Sequence, residues 1–327
     1  MRRSGRFFGL AVVMVLFSTA CFAETHSNVQ AVDTTGYGTH PDLLTMNKIT
    51  VEGIILNRPE YMVDISGSAA EWQIYVQGEG GDHAGTAIYM RKDNWGGGTY
   101  TDQEWADELD RISNDPNGNY GFRPGDRVRV TGLLKFYYGK TNINERHTTN
   151  PDYDFTIDLI DPDAGLPEPE VITLGQVKDT DDNFIFDYTR ATGCEYYQGV
   201  LVRVNDVNIS DGIWGIDNTM TIKDSTGRTF PLKLGIGPGF SQYSAPTGQI
   251  DVIGIFDQES ADYKAGYRIW VVNYDGNSSV LTDNCGLNGY FAGDMNKDCV
   301  VDFADFAIMA QDWLKCSNPS FYECIIP

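Results

Sequence analysis

The amino-acid sequence predicts a mainly β protein, with two tandem five-stranded barrels followed by a small helical tail. The chain is rich in glycine and tyrosine, with 35 and 18 residues respectively. It lacks the long runs of Leu, Ala, Glu and Lys that are typical of helices. A length of 327 residues is enough for two or three domains. The same order of alternating apolar runs also occurs twice along the chain.

The first block of alternation covers residues 46–161 and predicts five strands and one helix. Thr101 is a suitable N-cap for a helix from Asp102 to Ile112, in which Trp105, Leu109 and Ile112 share one face. The strands are predicted from runs of alternating apolar residues, and the second and third runs are close enough to pair. The five runs lie at 49–55, 72–76, 87–90, 126–134 and 155–159.

The second block covers residues 195–282 and repeats the first. A turn-rich stretch at 162–169 marks the boundary, so residues 162–194 are predicted to form a linker and a lead-in strand. The second and third runs of the new block are expected to form a hairpin around Ser225-Thr226-Gly227. The block contains apolar runs at 197–202, 220–224, 230–234, 248–256 and 267–272.

Both blocks place a glycine inside the first strand or beside it and another in the fourth. Such glycines commonly mark a bulge or a sharp bend, which a small closed barrel needs at its corners. Five strands with an optional helix between the third and fourth resemble the OB-fold, in the divergent form found in secreted bacterial proteins. The resemblance covers 46–161 and 195–282. Another five-stranded barrel, or a sandwich of similar strand spacing, would produce the same pattern.

The amino terminus predicts export. Arg2, Arg3 and Arg6 precede an apolar stretch from Phe7 to Phe17, and small residues allow cleavage after Ala23. We therefore expect residues 1–23 to be a signal peptide and the protein to be secreted, to the periplasm, the cell surface or the medium. The alternative is a lipoprotein attached through Cys21. Residues 24–45 are polar and irregular, and are predicted to be a disordered lead-in. No further run is long and apolar enough for a transmembrane segment.

A twelve-residue loop from Asp294 to Asp305 predicts a calcium site. Calcium takes six or more oxygen ligands, which such a loop supplies from its positions 1, 3, 5, 7, 9 and 12. A helix from Phe306 to Leu314 follows the loop. The residues at the six ligand positions are Asp294, Asn296, Asp298, Val300 (through its carbonyl oxygen), Asp302 and Asp305.

With this loop and helix, residues 285–327 resemble a single repeat of a type I dockerin, the module that attaches secreted enzymes to scaffold proteins. The resemblance implies Ca²⁺ ligation by the same six residues and attachment or assembly through a cohesin-like partner. The sequence departs from the dockerin pattern at position six, where Cys299 replaces glycine. It also departs at positions ten and eleven, where Phe303 and Ala304 replace the hydroxyl pair that reads the partner. Only one repeat is found, where dockerins have two.

Export would permit disulfides among the cysteines that remain after cleavage. Four of them crowd into the tail, and their pairing is left open by the sequence. Cys194 stands apart from that group and is expected to be a buried, inert thiol. The remaining cysteines are Cys285, Cys299, Cys316 and Cys324.

The sequence contains no recognisable catalytic motif. The chain has four histidines, and their spacing is not that of a metal site. His26 and His40 lie in the predicted lead-in. His83 and His147 are interpreted as polar residues of solvent-exposed loops, although Asp82, next to His83 in the sequence, could orient His83 as a base. Nucleophile elbows, phosphate loops and zinc motifs are all missing. Paired carboxylates for glycoside hydrolysis remain an alternative, because their separation depends on the fold.

Aromatic residues of the first block give the best functional indication. Alternation should bury about half of them, while exposed members would stack on sugar rings or bases. One member of the pair Tyr137 and Tyr138 is expected to be exposed, since neighbours on a strand point to opposite faces. The cluster comprises Trp72, Tyr75, Tyr89, Trp95, Tyr100, Phe136, Tyr137 and Tyr138.

Charge and composition lead to three functional hypotheses. The first is a secreted, non-catalytic modular protein whose OB-like domains bind an extracellular ligand such as a polysaccharide. The second is a polysaccharide-degrading component with glycoside hydrolase activity. The third, nucleic-acid binding by the barrels, is disfavoured by a net charge of −22, because affinity for nucleic acid depends largely on cations that neutralise phosphates.

The calcium hypothesis predicts one binding site in the 285–327 fragment. Replacing Asp294→Ala together with Asp305→Ala removes the first and last ligands, so the heat of calcium binding should disappear in isothermal titration. Asp181→Ala in the full chain is the control, because the acidic run 179–183 lacks the ligand spacing. An unchanged heat in the double variant would mean that calcium binds elsewhere.

Overall fold

Two β-sheets, one in each half of the chain, dominate the computed structural model, and the protein is mainly β. The structure describes residues 23–64, 70–94, 98–117, 120–146, 148–215, 218–237 and 244–271, together with Gly293, Val301 and residues 303–311.

Within its described residues, the first half contains ten strands and two helices, with 3₁₀ turns at Pro41–Leu44, Pro59–Met62 and Pro151–Tyr153. The strands are β1 (Ile49–Ile55), β2 (Val63–Asp64), β3 (Glu71–Gln77), β4 (Gly85–Arg91), β5 (Asp93–Asn94), β6 (Gly98–Thr99), β7 (Arg127–Gly132), β8 (Leu134–Tyr137), β9 (Lys140–Asn144) and β10 (Thr156–Asp161). The helices are α1 (His26–Val29) and α2 (Asp102–Ser113).

The second half adds six strands and three helices within the described residues. In chain order these are β11 (Glu170–Ile172), α3 (Leu174–Val177), α4 (Gly193–Tyr196), β12 (Leu201–Asp211), β13 (Thr219–Lys223), β14 (Thr229–Leu234), β15 (Ile250–Gln258), β16 (Tyr267–Val271) and α5 (Phe303–Gln311). The lead-in strand within 162–194 covers only Glu170–Ile172, because the chain turns into α3 after Ile172.

The sheet of the second half closes into a five-stranded barrel. Its order is β11-β12-β13-β14-β16-β15, and β12 also pairs with β15. The register of β12 against β15 shifts between Val204 and Val207, where Asp206 has a φ of 59°, so the long strand bends and changes partner. A Cβ on Gly254 would lie 2.4 Å from the Trp270 carbonyl oxygen, so this strand position requires glycine. The closed barrel predicted here is confirmed, as is its β13–β14 hairpin.

The sheet of the first half has the order β10-β7-β1-β3-β4-β9-β8, with β2 added on β3. Strands β7 and β8 pair with opposite parts of this sheet, although only Leu133 separates them in the chain. The predicted pairing of β3 with β4 is confirmed. The core of the first half contains Trp72, Ile74 and Val128, whose side chains are all at most 1% exposed.

Helix α2 covers this core and begins where the sequence predicts. The Thr101 hydroxyl accepts a hydrogen bond from the Glu104 backbone N–H, and the Glu104 carboxylate accepts one from the Thr101 N–H. This capping box satisfies two amides that the first turn would leave without partners. Trp105 and Ile112 are buried against the sheet, so the helical face predicted from spacing is confirmed for these two residues.

The predicted disorder of residues 24–45 is wrong, because this segment packs on the first sheet. Val29 is fully buried in its core. The Asp82 carboxylate accepts hydrogen bonds from the backbone N–H groups of His26 and Ser27, at 2.6 and 2.8 Å. Gln30 donates from its side-chain amide to the Thr141 carbonyl oxygen at 2.7 Å. Polar residues in this segment therefore find distant partners, which local composition does not reveal. Burial also lowers the pKa of His26 to about 4.

A third apolar cluster joins the two halves. Met62 and Tyr75 from the first half pack with Leu201, Ile255 and Trp270 from the second. Among them lies the carboxylate of Asp257, which is 0% exposed. It accepts hydrogen bonds from Lys140 at 2.8 Å and from the Trp270 indole N–H at 2.9 Å. Arg268 also contacts it at 2.9 Å.

Burial alone would raise the pKa of Asp257, but the charges of Lys140 and Arg268 outweigh that effect and hold this pKa well below its usual range. The stability that this carboxylate contributes is therefore present above about pH 4 and is lost as the pH falls further.

In the tail, α5 begins earlier than the predicted Phe306, and among its residues Phe303, Phe306 and Met309 are exposed. Within the described ranges, no helix is long and apolar enough to cross a bilayer.

Replacing Lys140→Met should lower the free energy of unfolding by about 3 kcal/mol, because it removes one of the two cations that compensate a fully buried carboxylate. Urea denaturation followed by tryptophan fluorescence measures the change. Lys135→Met on the neighbouring strand is the matched control: Lys135 forms no ion pair with any described residue and lies beside Arg146, so its removal should not lower the free energy of unfolding. Equal stability of Lys140→Met and the wild type would mean that Arg268 and Trp270 suffice for Asp257.

Candidate functional site: a groove between the two sheets

The candidate site is a groove of about 1110 Å³ where the outer face of the first sheet meets the second half of the chain. Its floor is formed by four neighbouring strands, β3, β4, β9 and β8. Because side chains alternate along a strand, the residues between the buried core positions share one face, and those not covered by the second half line the groove. These floor residues are Glu71, Gln73, Tyr89, Arg91, Lys135, Tyr137, Lys140, Asn142 and Asn144.

The register brings these residues into rows across the floor. Gln73 is opposite Tyr89, and Tyr89 is in register with Asn144 on the parallel strand β9. Lys135 is opposite Asn142. The wall comes from the second half of the chain, including Ile236, Glu259 and Trp270. The buried ion pairs of Asp257 lie behind this wall and hold it against the floor.

A tyrosine pair stands at the edge of the groove, where Tyr137 ends β8 and Tyr138 begins the turn to β9. Tyr137 and Tyr138 are 39% and 43% exposed, and their ring centroids lie 4.4 Å apart. Tyr138 and Gly139 both have positive φ, at 47° and 102°, which is the conformation of a two-residue type I′ turn. An aromatic residue is rare in this conformation and strained there. The Ser260 N–H donates to the Tyr138 carbonyl oxygen at 2.8 Å and fixes the turn to the second half.

Cations are concentrated in the groove although the chain as a whole is acidic. The whole chain has 46 Asp and Glu against 24 Lys and Arg. The groove reverses this ratio, with three carboxylates, Asp64, Glu71 and Glu259, against a larger set of cations. Those cations are Arg91, Lys135, Lys140, Arg146, Lys233 and Arg268.

The carboxylates of the groove have defined partners. Tyr89 donates its hydroxyl to Glu71 at 2.7 Å. Burial raises the pKa of Glu71, and the nearby negative charge of Glu259 adds to the increase. The Glu259 carboxylate forms an ion pair with Arg268. The site therefore contains two carboxyl groups that influence each other, one of them easier to protonate than usual.

The residues outside the groove that the sequence suggested as catalytic candidates do not form a common site among the described residues. Asp82 binds the backbone of His26 and Ser27, so it does not orient His83. His83 instead contacts the Glu170 carboxylate at 2.5 Å and stacks on Tyr196. His40 is buried, and its Nδ1 accepts a hydrogen bond from the Asp42 N–H. His147 lies outside the described residues.

The aromatic cluster contains buried and exposed members, but alternation alone does not divide them: Trp72 and Tyr75 lie on opposite faces of β3, and Tyr75 is buried against the second half of the chain. Trp72, Tyr75 and Tyr100 are buried, and Tyr89 and Phe136 are half-buried. Tyr137 and Tyr138 are both exposed, although only one was expected to be. The reason is that the strand ends at Tyr137, so Tyr138 belongs to the turn and not to the alternating strand. Trp95 lies outside the described residues.

The tail and its cysteines are mostly beyond what the structure describes. Of the six predicted calcium ligands only Asp305 is described, and it is 2% exposed within α5. Within the described ranges, no group of acidic, His or Cys side chains is arranged to hold a metal ion. Cys194 is a free, buried thiol whose pKa is raised by burial. The other predicted residues lie outside the described part: Asp294, Asn296, Asp298, Val300, Asp302, Cys285, Cys299, Cys316 and Cys324.

Comparison with known proteins adds little to this picture. No family model and no curated protein matches the chain. Among solved structures, it is similar to a murine DNA-binding protein bound to double-stranded DNA, with 9% identity and a TM-score of 0.29, over 68% of this chain and 92% of that one. A structure described as "Molecular basis for abrogation of activation of pro-inflammatory cytokines" has the same identity, TM-score and share of this chain, and 87% of its own length is covered. Likenesses this weak establish neither fold nor function.

Replacing Tyr138→Asn should raise the free energy of unfolding by about 1 kcal/mol, because asparagine tolerates the left-handed conformation that strains a tyrosine. Urea denaturation measures the change. Tyr137→Asn is the matched control: it lies on the regular strand, where asparagine is disfavoured, and should destabilise the protein. If Tyr138→Asn is destabilising to the same extent, the ring contacts of Tyr138 outweigh its backbone strain.

Proposed function

We propose that this protein is a secreted, non-catalytic binding protein that holds an extracellular polysaccharide in the groove between its two halves. The observation that carries the proposal is the strained turn that displays Tyr137 and Tyr138 at the edge of the groove. Strained residues concentrate at functional sites, and the flat faces of exposed tyrosines are suited to stacking on sugar rings.

The polar side chains of the floor support the same ligand class. Gln73, Asn142 and Asn144 each carry both a donor and an acceptor; part of this capacity is used within the protein, and the remainder matches sugar hydroxyl groups. The Asn144 amide donates to the Asn142 side-chain oxygen at 2.9 Å, so these two side chains are held in place. A floor of fixed amides beside an aromatic edge favours hydroxyl-rich, ring-shaped ligands over purely apolar ones.

Strand order also supports this location for binding. The second-half order β12-β13-β14-β16-β15, returning to β12, follows the 1-2-3-5-4-1 pattern of OB-folds. We propose that the first half is a second OB-like barrel, in which β7 and β8 form one strand bent at Leu133. In that case β3 and β4 are its second and third strands, and Tyr138 lies in its loop between strands four and five. OB-folds bind oligosaccharides and oligonucleotides with these same parts.

The two ends of the chain complete the proposal. A signal peptide over residues 1–23 would export the protein, with lipidation of Cys21 as the alternative. The tail would bind Ca²⁺ and serve in attachment or assembly on a cohesin-like scaffold, as its resemblance to one dockerin repeat implies. Export and attachment are consistent with a function in handling extracellular polysaccharide.

Glycoside hydrolysis is the second candidate function, and one observation favours it. Glu71 and Glu259 face the same groove, and the pKa of Glu71 is raised, as a general acid requires. Against this role, Glu259 is neutralised by Arg268 and Glu71 is occupied by the Tyr89 hydroxyl. We therefore favour non-catalytic binding over glycoside hydrolysis as the function of the groove.

The double change Tyr137→Ala and Tyr138→Ala should weaken polysaccharide binding at least about tenfold, because it removes the stacking surface. Affinity electrophoresis of the full chain through gels containing neutral and acidic polysaccharides measures the retardation. Tyr188→Ala is the control, since Tyr188 is 49% exposed but lies outside the groove.

Two results would contradict the proposal. One is that no polysaccharide retards the wild-type chain, or that the double variant is retarded equally. The other is the release of new reducing ends that Glu71→Gln abolishes, which would make the protein a hydrolase.

A further inference from the structure

We infer that the groove selects polysaccharides that carry carboxylates, because three of its cations, Arg91, Lys135 and Arg146, form no close ion pair with any described carboxylate, Glu71 acting on Arg91 only at longer range. The inference rests on the proposed binding of a polysaccharide in this groove and names the chemical class of that ligand. It assigns recognition of uronate units to these cations, and stacking to the tyrosine pair.

Arg91 is the first of the three. Its Nε atom is buried and has no hydrogen-bond partner among the residues that the structure describes. Glu71 is opposite Arg91 in register, but the hydrogen bond of its carboxylate comes from the Tyr89 hydroxyl and no salt bridge joins it to Arg91. A buried guanidinium donor without an acceptor is unfavourable in the free protein. The Nε atom itself is closed off from the groove, so a ligand carboxylate would pair with the exposed part of the half-buried Arg91 side chain, whose guanidinium it matches in shape and charge.

Lys135 and Arg146 form a second cationic position on the other side of the floor. Half-burial lowers the pKa of Lys135, and the neighbouring charge of Arg146 lowers it further. The Arg146 guanidinium donates to the backbone carbonyl oxygens of Leu134, Leu43 and Thr45, so it is fixed in place, and it forms no ion pair with any described carboxylate. An anion bound here would relieve the repulsion between the two cations.

The two cationic positions are too far apart for a single sugar. Arg91 and Lys135 are separated by two strand spacings across β4, β9 and β8 and by about four residues along the strands. At about 4.8 Å per strand and 3.3 Å per residue, their Cα atoms lie about 16 Å apart. A ligand that reaches both positions must therefore carry negative charges on different units of a chain.

Polyuronates fit this groove better than nucleic acid does. The acidic surface of the protein repels any polyanion, and a nucleic acid carries a charge at every phosphate. The groove also contains the carboxylates of Glu71 and Glu259, which can accept further hydrogen bonds. Sugar hydroxyl groups supply such donors, whereas a DNA backbone has none to offer. Mixed cations and carboxylates thus match a ligand that combines carboxylates with hydroxyl groups.

The test compares each acidic polymer with its carboxyl-reduced form, in which a hydroxymethyl group replaces the carboxylate and the backbone is unchanged. The full chain is titrated with polygalacturonate, alginate and hyaluronate, with their reduced forms, and with dextran sulfate and single-stranded DNA. We expect at least one uronate polymer to bind at least about tenfold more tightly than its reduced form, with an affinity that falls as salt is raised.

The variants assign that preference to the cations. Arg91→Gln with Lys135→Gln should bring the affinity for the acidic polymer down to that for the reduced one. Lys223→Gln with Lys264→Gln removes the same charge from outside the groove and should leave the preference unchanged. The conservative pair Arg91→Lys with Lys135→Arg should retain most of it.

The other outcomes overturn the inference in distinguishable ways. Equal affinity for the acidic and reduced forms, lost in the tyrosine double variant, would retain polysaccharide binding but refute selection for carboxylates. Equally tight, cation-dependent binding of dextran sulfate would mean that the groove recognises charge alone. Preference for DNA would make nucleic acid the ligand. Failure to bind any polymer would refute both this inference and the proposed function.

Discussion

The buried carboxylate of Asp257 is the interaction on which the groove depends. It lies on the second half of the chain but is compensated by Lys140 of the first half, as well as by Arg268 and Trp270 of its own sheet. A fully buried charge without such partners would be strongly unfavourable, so the two halves are constrained to one relative position. The apolar cluster around Met62 and Tyr75 supplies the attraction between them, and the ion pairs make it specific.

That constraint places two unrelated surfaces face to face. The outer side of a sheet normally meets water, and polar alternation on β3, β4, β8 and β9 is ordinary for a half-exposed sheet. Once the second half is fixed against it, the same polar face becomes the floor of a walled groove in which charges are partly desolvated. The hydrogen bond from Ser260 to the Tyr138 carbonyl oxygen extends this effect to the turn.

How much of this was predictable depends on the range of the interactions. Helix α2 and the β13–β14 hairpin were correct because capping and alternation are local. The disorder assigned to 24–45 was wrong because His26 and Gln30 are satisfied by residues more than fifty positions away. Period-two alternation would have shown that Arg91 and Lys135 face outward. It would not have shown that their strands, β4 and β8, lie on either side of β9 in one sheet. The wall could not be predicted at all, since it requires the docking of the two halves.

The free groove retains several unfavourable features at once. Tyr138 is held in a left-handed conformation, Arg91 has an unsatisfied donor, and Lys135 carries its charge beside Arg146 in a half-buried position. Each lowers the stability of the unbound protein, and the rest of the fold gives no structural reason for any of them. They lie in one groove, where a ligand with rings and separated carboxylates would compensate the charges of Arg91 and Lys135 and stack on Tyr138. Unpaired buried nitrogens also occur outside the groove, at Trp72 and Arg190, so it is the combination of cations with displayed aromatic rings, and not the unpaired donor alone, that favours binding here.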